Sequence, residues 1–229
     1  MSNVLCIGDC HCPAMIDGYP DFVYSLYEKY KCNKVVMIGD LVDCYAMSMH
    51  QKRIETIDIE EEFAKAQKQV KELTSRFPGR NVTWLLGNHD SLPQRHMEAA
   101  GVPLSLLKNP GKIWNTGRWV IKQRWEDHVI DSVIYRHGDK GKGGQFPALA
   151  NALSEFRSVV QGHFHQVGGV MVKSNSVSTL FGLQTGCGCD SSAPELQYAK
   201  KFANKPVLGA AVVIDKGRHP IFEPYKEVK

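Results

Sequence analysis

Five short apolar runs of the sequence each end at a glycine that is accompanied by aspartate, asparagine or histidine. The polar residues at these run ends are Asp9, His11, Asp40, Asp43, Asn88, His89, Asp90, His137, His163 and His165. Because the runs have the length of buried strands, we expect these side chains to meet along one edge of a sheet. Oxygen and imidazole donors gathered in one place suit a site for two divalent cations.

The order and spacing of these motifs resemble a known family. The motifs are Gly8-Asp9-x-His11, Gly39-Asp40-x-x-Asp43, Gly87-Asn88-His89-Asp90, a lone His137 and Gly162-His163-x-His165. In this order they resemble the motifs of the calcineurin-like metallophosphoesterases, and the resemblance spans Asp9 to His165. Five ordered motifs are much more specific than a single short glycine motif.

The resemblance implies two metal ions and assigns ligands to each. One ion would be held by Asp9, His11, Asp40 and His165. The other would be held by Asp40, Asn88, His137 and His163, so that Asp40 bridges the pair. The nucleophile would be a hydroxide between the two ions. Manganese is the metal that the resemblance favours, and iron, zinc or nickel suit the same donors.

His89 has no metal in this assignment and follows a ligand at a strand end. We therefore predict that His89 is the general acid for the leaving oxygen and that Asp90 fixes its tautomer. Two other histidines compete with His137 for the remaining ligand position. His128 begins its strand, which is the wrong end of a sheet for such a site, and His96 lies on a predicted helix.

Three residues outside the motifs are candidate substrate contacts. His50 lies in the loop after Asp43, where it would overhang the metals or simply anchor the loop. Lys140 and Lys142 lie in a glycine-rich loop after His137 and would reach a phosphate. Loop flexibility explains that composition equally well, and the spacing is not that of a Walker loop.

The segment from Trp114 to Trp125 alternates aromatic rings with arginine and lysine. Aromatic and basic side chains together are typical of surfaces that bind single-stranded nucleic acid. Strand alternation is the interpretation that we favour, with Trp114 and Trp119 packed under a strand and the cations facing water.

Seven cysteines do not form a spaced framework, and reduced thiols are expected. Alternation along the first strand points Cys10 and Cys12 away from the ligand side, and no CxxC pair is present to bind zinc. The Cys187-Gly188-Cys189 segment is interpreted as a tight turn with small side chains, so the thiols are not assigned as ligands.

Apolar periodicity predicts the elements that position the motifs. Asp21 is expected to cap a first helix, and Asp58 to cap a long amphipathic helix whose charged face, including Glu62, is solvated. Val129 to Tyr135 is predicted as one strand, followed by a helix from Pro147 that carries Leu149, Leu153 and Phe156. The short runs after His165 are predicted to close a second sheet.

The length of 229 residues and the hydrophobic content of 43% suit one α/β domain over residues 1–229. With βαβ units first and antiparallel strands last, we predict a two-sheet β-sandwich flanked by α-helices, in four layers α/β/β/α, as the resemblance also implies. The apolar runs are too short for a membrane span, and no signal-peptide pattern is present. We expect a cytoplasmic protein of a bacterium or of a phage-infected host, because the chain's ending resembles small phosphoesterases of phages and bacteria.

These observations predict a metal-dependent hydrolase of phosphate esters. A phosphodiester in a nucleic acid or nucleotide is the favoured substrate, followed by a phosphomonoester of a nucleotide or a protein. A non-catalytic scaffold with the same fold is the alternative of another class, but the complete set of motif residues argues against it. The formal charge of +4 is too mild for a chain that binds nucleic acid through polybasic character alone.

Overall fold

The computed structural model describes residues 2–48, 58–79, 81–190, 192–193 and 205–226. The strands within these ranges are β1 Val4–Ile7, β2 Lys34–Met37, β3 Val82–Leu85, β4 Val120–Lys122, β5 His128–Ile130, β6 Val133–Arg136, β7 Val159–Gln161, β8 Gly168–Ser174, β9 Thr179–Thr185, β10 Gly209–Ile214 and β11 His219–Pro224. The α-helices are α1 Tyr19–Lys29, α2 Ile59–Arg76, α3 Leu92–Ala99, α4 Pro110–Ile113 and α5 Pro147–Glu155. None of these helices combines the length and apolar character that a bilayer crossing requires.

The strands form a six-stranded sheet in the order β11-β10-β1-β2-β3-β4 and a five-stranded sheet in the order β5-β6-β7-β9-β8. Strands β1 to β4 run parallel in the first sheet, and β6, β7 and β9 run parallel in the second. Parallel strands end at the same edge of a sheet, so the loops after β1, β2 and β3 lie together, as do those after β6 and β7.

One part of the predicted topology is wrong. The strands after His165 were expected to close the second sheet, and β8 and β9 do so. Strand β10, however, pairs antiparallel with β1, and β11 pairs with β10, so both extend the first sheet. Strand β10 is nearly all buried, because β1 and β11 flank it and both of its faces are covered.

The packing confirms the predicted four layers. Along β1, Leu5 and Ile7 face the cluster that contains residues of α1 and α2, whereas Val4 and Cys6 face the second sheet. Helix α5 covers the outer face of the second sheet, where Ala152 packs with Ile134 and Val159. The chain therefore has an α/β/β/α architecture, with one apolar layer between the sheets and another beneath each helical layer.

The helix starts agree only in part with the sequence prediction. Asp58 caps α2 as expected, since its Oδ1 accepts hydrogen bonds from the backbone N–H groups of Glu60 and Glu61 at 2.8 and 3.0 Å. Helix α1 is preceded by Gly18, with a φ of 76°, and Asp21 lies in its first turn rather than at its cap. Gly18 adopts the left-handed conformation there at little steric cost.

Glu62 is buried, although the charge pattern predicts a solvated position. Its two carboxylate oxygens accept hydrogen bonds from the backbone N–H groups of Tyr45 and Ala46 at 2.5 and 2.7 Å. These two residues begin a short 3-10 turn, Tyr45–Met47, that follows the second metal motif. A buried carboxylate is stabilised by such donors, so Glu62 fixes the loop after Asp43 to helix α2.

The segment predicted as one strand from Val129 to Tyr135 is a hairpin of β5 and β6. Asp131 and Ser132 form its turn with φ values of 50° and 65°, which is the positive-φ geometry that matches the twist of paired strands. Periodicity alone does not reveal such a turn when glycine is absent from it.

Helix α5 buries a different face from the predicted one. Ala148, Asn151 and Ala152 are buried, whereas Leu153 is partly exposed and Phe156 is 85% exposed. The reason is close contact with β9, because a Cβ at Gly182 would lie 2.1 Å from the backbone nitrogen of Leu149. A helix whose backbone rests on a strand turns its small residues, not its large ones, toward the sheet.

Candidate metal centre

The loops after the parallel strands bring the predicted ligands to one edge of the two sheets. Asp9, His11, Asp40 and His137 are all buried. Asp9 and His11 were expected to share one side of an extended chain, but their φ values are 53° and 48°. The left-handed backbone, which aspartate and histidine adopt more readily than most residues, therefore orients these ligands. Such conformations concentrate at functional sites.

The first group of possible ligands consists of Asp9, His11 and His165. Nε2 of His165 lies 3.1 Å from Nε2 of His11 and 3.2 Å from Oδ1 of Asp9. Only one of two facing imidazole nitrogens can carry a proton between them. A divalent cation can replace that proton and use both nitrogens and the carboxylate oxygen, so the donor set fits a metal.

The second group consists of Asp40, His137 and His163. Nε2 of His137 lies 3.2 Å from Oδ2 of Asp40 and 3.0 Å from Oδ1 of Asn88. Carboxylate, amide and imidazole donors again suit a divalent cation of the first transition row. The amide of Asn88 thus joins this group, as the family resemblance implies.

Asp40 lies between the two groups. The same oxygen that faces His137, Oδ2, is 3.7 Å from Nε2 of His11 in the first group. The other oxygen, Oδ1, accepts a hydrogen bond from the backbone N–H of His89 at 2.8 Å. This position is the one that a carboxylate shared between two cations requires.

Two motif glycines allow the backbone of neighbouring loops to approach the ligand carboxylates closely. A Cβ at Gly87 would lie 2.2 Å from Oδ1 of Asp40, and a Cβ at Gly162 would lie 2.2 Å from Oδ2 of Asp9. No other residue type leaves room for these contacts. The loop that begins at Gly162 also orients Asp9, because the backbone N–H of His163 donates to both carboxylate oxygens at 3.0 Å.

The buried ionisable groups of the centre shift one another's pKa values. Burial lowers the pKa of His137, but the charge of Asp40 raises it to about 10. Burial likewise lowers the pKa of His165, while its hydrogen bond to Asp9 raises it to about 9. Burial would raise the pKa of Asp40, yet the charge of His137 holds it well below the usual range. The metal-free centre therefore holds protons on two predicted ligands that cations would displace.

Asp43 orients two histidines at once. Its Oδ1 lies 2.6 Å from Nδ1 of His11 and 3.2 Å from Nδ1 of His89. Its carbonyl oxygen also accepts a hydrogen bond from Nδ1 of His89 at 2.8 Å. Partners of this kind fix the tautomer and orientation of a ligand. This role of Asp43 did not follow from the sequence, where its place in the Gly39-Asp40-x-x-Asp43 motif was the signal available.

Asp90 does not hold the His89 ring as predicted. Its carboxylate instead accepts hydrogen bonds from the indole N–H of Trp84 at 3.1 Å and from the backbone N–H groups of Gly87 and Val42 at 2.9 and 3.1 Å. The chain turns sharply after Asn88, so adjacent side chains point to different surroundings. Burial and the charge of Asp40 raise the pKa of Asp90 to about 7. Asp90 thus ties together the loops that carry Asp40 and Asn88.

The competing histidines lie elsewhere. Nε2 of His96 is 2.5 Å from the carbonyl oxygen of Met47, and Nε2 of His128 is 3.5 Å from the hydroxyl of Thr83. Neither belongs to the ligand groups found within the described ranges. The choice of His137 from its strand position therefore agrees with the geometry.

The candidate substrate contacts have mixed outcomes. His50 lies outside the described residues. Lys140 and Lys142 are exposed on the loop after His137. Asn151 anchors this loop, since its side chain accepts from the backbone N–H of Lys142 at 2.8 Å and donates to the carbonyl of the same residue at 3.2 Å. The loop is therefore held in place against α5.

The predicted burial is confirmed for two tryptophans of the aromatic segment, but strand alternation does not produce it, because Trp114 follows helix α4 and strand β4 begins only at Val120. Trp114 is buried against Phe63, with ring centroids 4.5 Å apart. Trp119 is buried and donates its indole N–H to the carbonyl of Phe77 at 2.7 Å. Trp125, in contrast, is 56% exposed.

The Cys187-Gly188-Cys189 segment lies behind the first ligand group. The two thiols are buried, and Cys189 Sγ is 4.0 Å from Nδ1 of His165. That nitrogen is on the opposite side of the ring from Nε2, which faces Asp9 and His11. The Gly188 N–H donates to the carbonyl of Asp9 at 3.1 Å. The interpretation of this segment as a tight turn is wrong, because it is extended: Cys187 forms a β-bridge with Leu208, and Cys189 forms one with Met15. Its support of a predicted ligand could not be seen from the sequence.

Two packed sheets between helical layers, with aspartate, asparagine and histidine at the strand ends, define the metallophosphoesterase class of folds. The profile of one family, the calcineurin-like phosphoesterases, matches residues 2–142. This match covers more than half of the chain, and the chain belongs to that family. No curated protein matches the sequence significantly.

Several solved structures have a similar fold. A phosphoesterase from E. coli, Yfce, is 14% identical, with 93% of this chain and 88% of that chain covered and a TM-score of 0.47. A single mutant of Vps29 from Entamoeba histolytica is 14% identical over 98% and 99% of the two chains, with a TM-score of 0.43. Vacuolar Protein Sorting 29 from Cryptosporidium parvum is 16% identical over 98% and 97%, with a TM-score of 0.45.

Proposed function

We propose that this protein is a two-metal phosphodiesterase that hydrolyses an ester of a nucleic acid or a nucleotide. The observation that carries the proposal is the position of Asp40, whose Oδ2 faces His11 of one ligand group and His137 of the other. A carboxylate shared by two cations is the central requirement of two-metal phosphoryl chemistry.

The ligand assignment follows the two groups. Asp9, His11, Asp40 and His165 would hold one cation, and Asp40, Asn88, His137 and His163 the other, with manganese as the proposed metal. When bound, such cations supply a Lewis acid for the phosphoryl oxygens and lower the pKa of a water molecule. The chain contributes the preorganisation, because backbone N–H groups of His89 and His163 hold the carboxylates of Asp40 and Asp9 in place.

His89 is proposed as the general acid. Its Nδ1 donates to the carbonyl oxygen of Asp43, so Nε2 is the nitrogen left to carry a proton toward the leaving oxygen. Burial lowers the pKa of His89, but the charges of Asp40 and Asp43 raise it to about 10. In the metal-free centre the ring is therefore protonated at neutral pH.

The preference for a diester rests on the surroundings of the centre. Lys140 and Lys142 are exposed on the loop after the ligand His137 and would meet the phosphates that flank a scissile bond. The exposed ring of Trp125 lies next to this loop, since its indole N–H donates to Asp139 at 3.1 Å. Cations and a ring beside a phosphate site suit a nucleotide chain better than a simple phosphate.

The first test is the Asp40→Asn variant, with Asp17→Asn as a matched control because Asp17 is exposed. We expect Asp40→Asn to lose activity and at least part of the bound metal, and the control to keep both. Elemental analysis of each purified protein measures the metal. Full metal content and full turnover in Asp40→Asn would refute the shared ligand.

The second test defines the substrate. Metal-loaded protein is offered a phosphomonoester, a simple diester, single- and double-stranded DNA, RNA and cyclic nucleotides, with manganese compared against iron, zinc and nickel. We expect hydrolysis of diesters or oligonucleotides that depends on the added metal. Hydrolysis of monoesters alone would replace the diesterase by a phosphatase and leave the ligand assignment intact.

A further inference from the structure

Trp125 differs from the other tryptophans of the chain. Trp84, Trp114 and Trp119 are 0%, 4% and 6% exposed, whereas Trp125 is 56% exposed. A large aromatic ring left in water forgoes the free energy that burial would provide. An exposed tryptophan is therefore worth explaining when its surroundings also fix its position.

The backbone at Trp125 is unusual for this residue type. The backbone N–H of Glu126 donates to the carbonyl of Gln123 at 3.0 Å, which makes Trp125 the third residue of a tight turn. Its φ is 68°, in the region that glycine or asparagine normally occupies at this turn position. A bulky side chain there is strained, and strain of this kind is found where function requires a particular orientation.

Neighbouring side chains hold the indole ring in one orientation. Its N–H donates to Oδ2 of Asp139 at 3.1 Å, and the guanidinium of Arg124 lies 4.5 Å from the ring centroid. Arg124 Nε also donates to Oδ2 of Asp139, at 2.6 Å. One face of the ring is thereby covered by a cation and one edge is fixed. A ring that is already ordered loses little conformational entropy when a ligand stacks on it.

The ring contacts the loop that follows a predicted ligand, through its hydrogen bond to Asp139. Asp139 follows the ligand His137 by two residues, and its charge acts on both His137 and His163. Lys140 and Lys142 continue the same loop. A chain of nucleotides with one phosphate at the centre would thus pass close to the exposed part of Trp125.

We propose that Trp125 is a stacking platform for a nucleobase of a single-stranded nucleic acid substrate. The inference rests on the proposed diesterase function and specifies its substrate. Bases stack on aromatic side chains largely without regard to sequence, and a cation on the far face of the ring supports such binding. If Trp125 only anchored the 138–144 loop, the hydrogen bond from its indole N–H would be sufficient. The exposed area of the ring would then have no explanation.

The test compares two oligonucleotides of equal length and charge, one of thymidylate and one abasic. Binding of the dye-labelled strands to metal-loaded protein is measured by anisotropy, in a His89→Ala background that slows cleavage. We expect Trp125→Leu to weaken binding of the thymidylate strand about tenfold and to leave the abasic strand nearly unchanged. Trp125→Phe, which keeps a ring but lacks the N–H donor, should restore most of the affinity.

The matched control is Phe156→Leu, because Phe156 is also exposed, aromatic and at positive φ, but ends helix α5. It should bind both strands as the parent does. Equal losses on both strands in Trp125→Leu, or a Trp125→Phe variant as weak as Trp125→Leu, would identify a tether and overturn the proposal. Unchanged thymidylate binding in Trp125→Leu would overturn it as well.

The outcome is separable from that of the diesterase proposal. Base-dependent binding that disappears in Trp125→Leu supports the stacking platform, whether or not the parent protein cleaves an oligonucleotide. If the parent protein binds in this way but cleaves no oligonucleotide, only the proposed activity fails. If the protein with His89 intact cleaves thymidylate and abasic strands equally well, with and without Trp125→Leu, the activity stands and the platform fails.

Discussion

Oδ1 of Asp43 lies 3.2 Å from Nδ1 of His89, while the carbonyl oxygen of Asp43 accepts the hydrogen bond from that nitrogen at 2.8 Å. The same Oδ1 lies 2.6 Å from Nδ1 of His11. One residue therefore orients both a predicted metal ligand and the proposed general acid. Both contacts use Oδ1, while the second carboxylate oxygen, Oδ2, is buried and has no hydrogen-bond partner among the described residues.

Asp43→Asn should reduce turnover about 10–100-fold and weaken metal binding. Loss of a residue that hydrogen-bonds to a metal ligand typically lowers metal affinity or activity by this factor. The loss of negative charge also makes the His89 imidazolium less stable. Steady-state kinetics and metal titration measure the two effects.

Asp90→Asn is the matched control for Asp43→Asn. An amide in place of the Asp90 carboxylate meets N–H donors of Trp84, Gly87 and Val42, so we expect a loss of roughly 1–3 kcal/mol in the free energy of unfolding. If Asp90→Asn altered the alkaline limb of the pH profile, where His89 loses its proton, and Asp43→Asn did not, the assignment of Asp43 as the partner of His89 would be wrong.

His89→Ala should keep its metal but lose turnover by ~10²–10⁴-fold, the typical contribution of a general acid. The loss should shrink for an ester of nitrophenol, because this leaving group departs without a proton. Comparison of nitrophenyl and alkyl esters of the same phosphate measures the difference. Losses of equal size on both esters would rule out proton donation by His89.

Gly87→Ala should weaken metal binding tenfold or more (~1.4 kcal/mol). Its Cβ would lie 2.2 Å from Oδ1 of Asp40 and 2.6 Å from the Asp40 backbone nitrogen, so the loop itself must move. Gly143→Ala is the control, because its Cβ would make only an ordinary contact, 3.5 Å from Phe164. Equal metal affinity in both variants, by calorimetry, would show that the close approach has no role.

Metal affinity should rise with pH. In the metal-free chain the pKa of His137 is raised to about 10 and that of His165 to about 9, so both rings are protonated at neutral pH. A cation must displace these protons, and affinity should increase up to tenfold per pH unit for each proton released, then level off above the raised pKa values. Calorimetry in buffers of different ionisation enthalpy counts the protons. Binding without proton release would contradict the predicted ligands.

Lys140→Ala combined with Lys142→Ala should flatten the dependence of oligonucleotide affinity on salt. Each phosphate contact to a single strand contributes a slope of about −0.7 in log affinity against log salt concentration. Lys173→Ala with Lys216→Ala serves as control, since both lysines are exposed on other strands and turns. An unchanged slope in the Lys140 and Lys142 variant would place the phosphates elsewhere.

The strand ends and the polar residues at them were predictable because they depend on local pattern, whereas the ligand assignment came from the family resemblance. An apolar run that stops at glycine and aspartate marks the end of a buried strand, and parallel strands end at one edge. His137 was separable from His96 and His128 by its strand position alone. The first helix cap, the Asp131-Ser132 turn and the buried Glu62 were not predictable from periodicity, because each depends on a local turn or on a partner far away in the sequence.

The sequence by itself therefore determined which residues reach the centre, while the tertiary structure decided how they act on one another. Adjacent residues such as His89 and Asp90 have separate surroundings once the backbone turns sharply, so the partner of His89 is Asp43 rather than its neighbour in the chain. Strand β10 joins the first sheet because pairing with β1 buries both of its faces, and a period of two residues does not encode the partner strand. Trp114 and Trp125 lie in one aromatic segment, yet only packing against Phe63 distinguishes the buried ring from the exposed one.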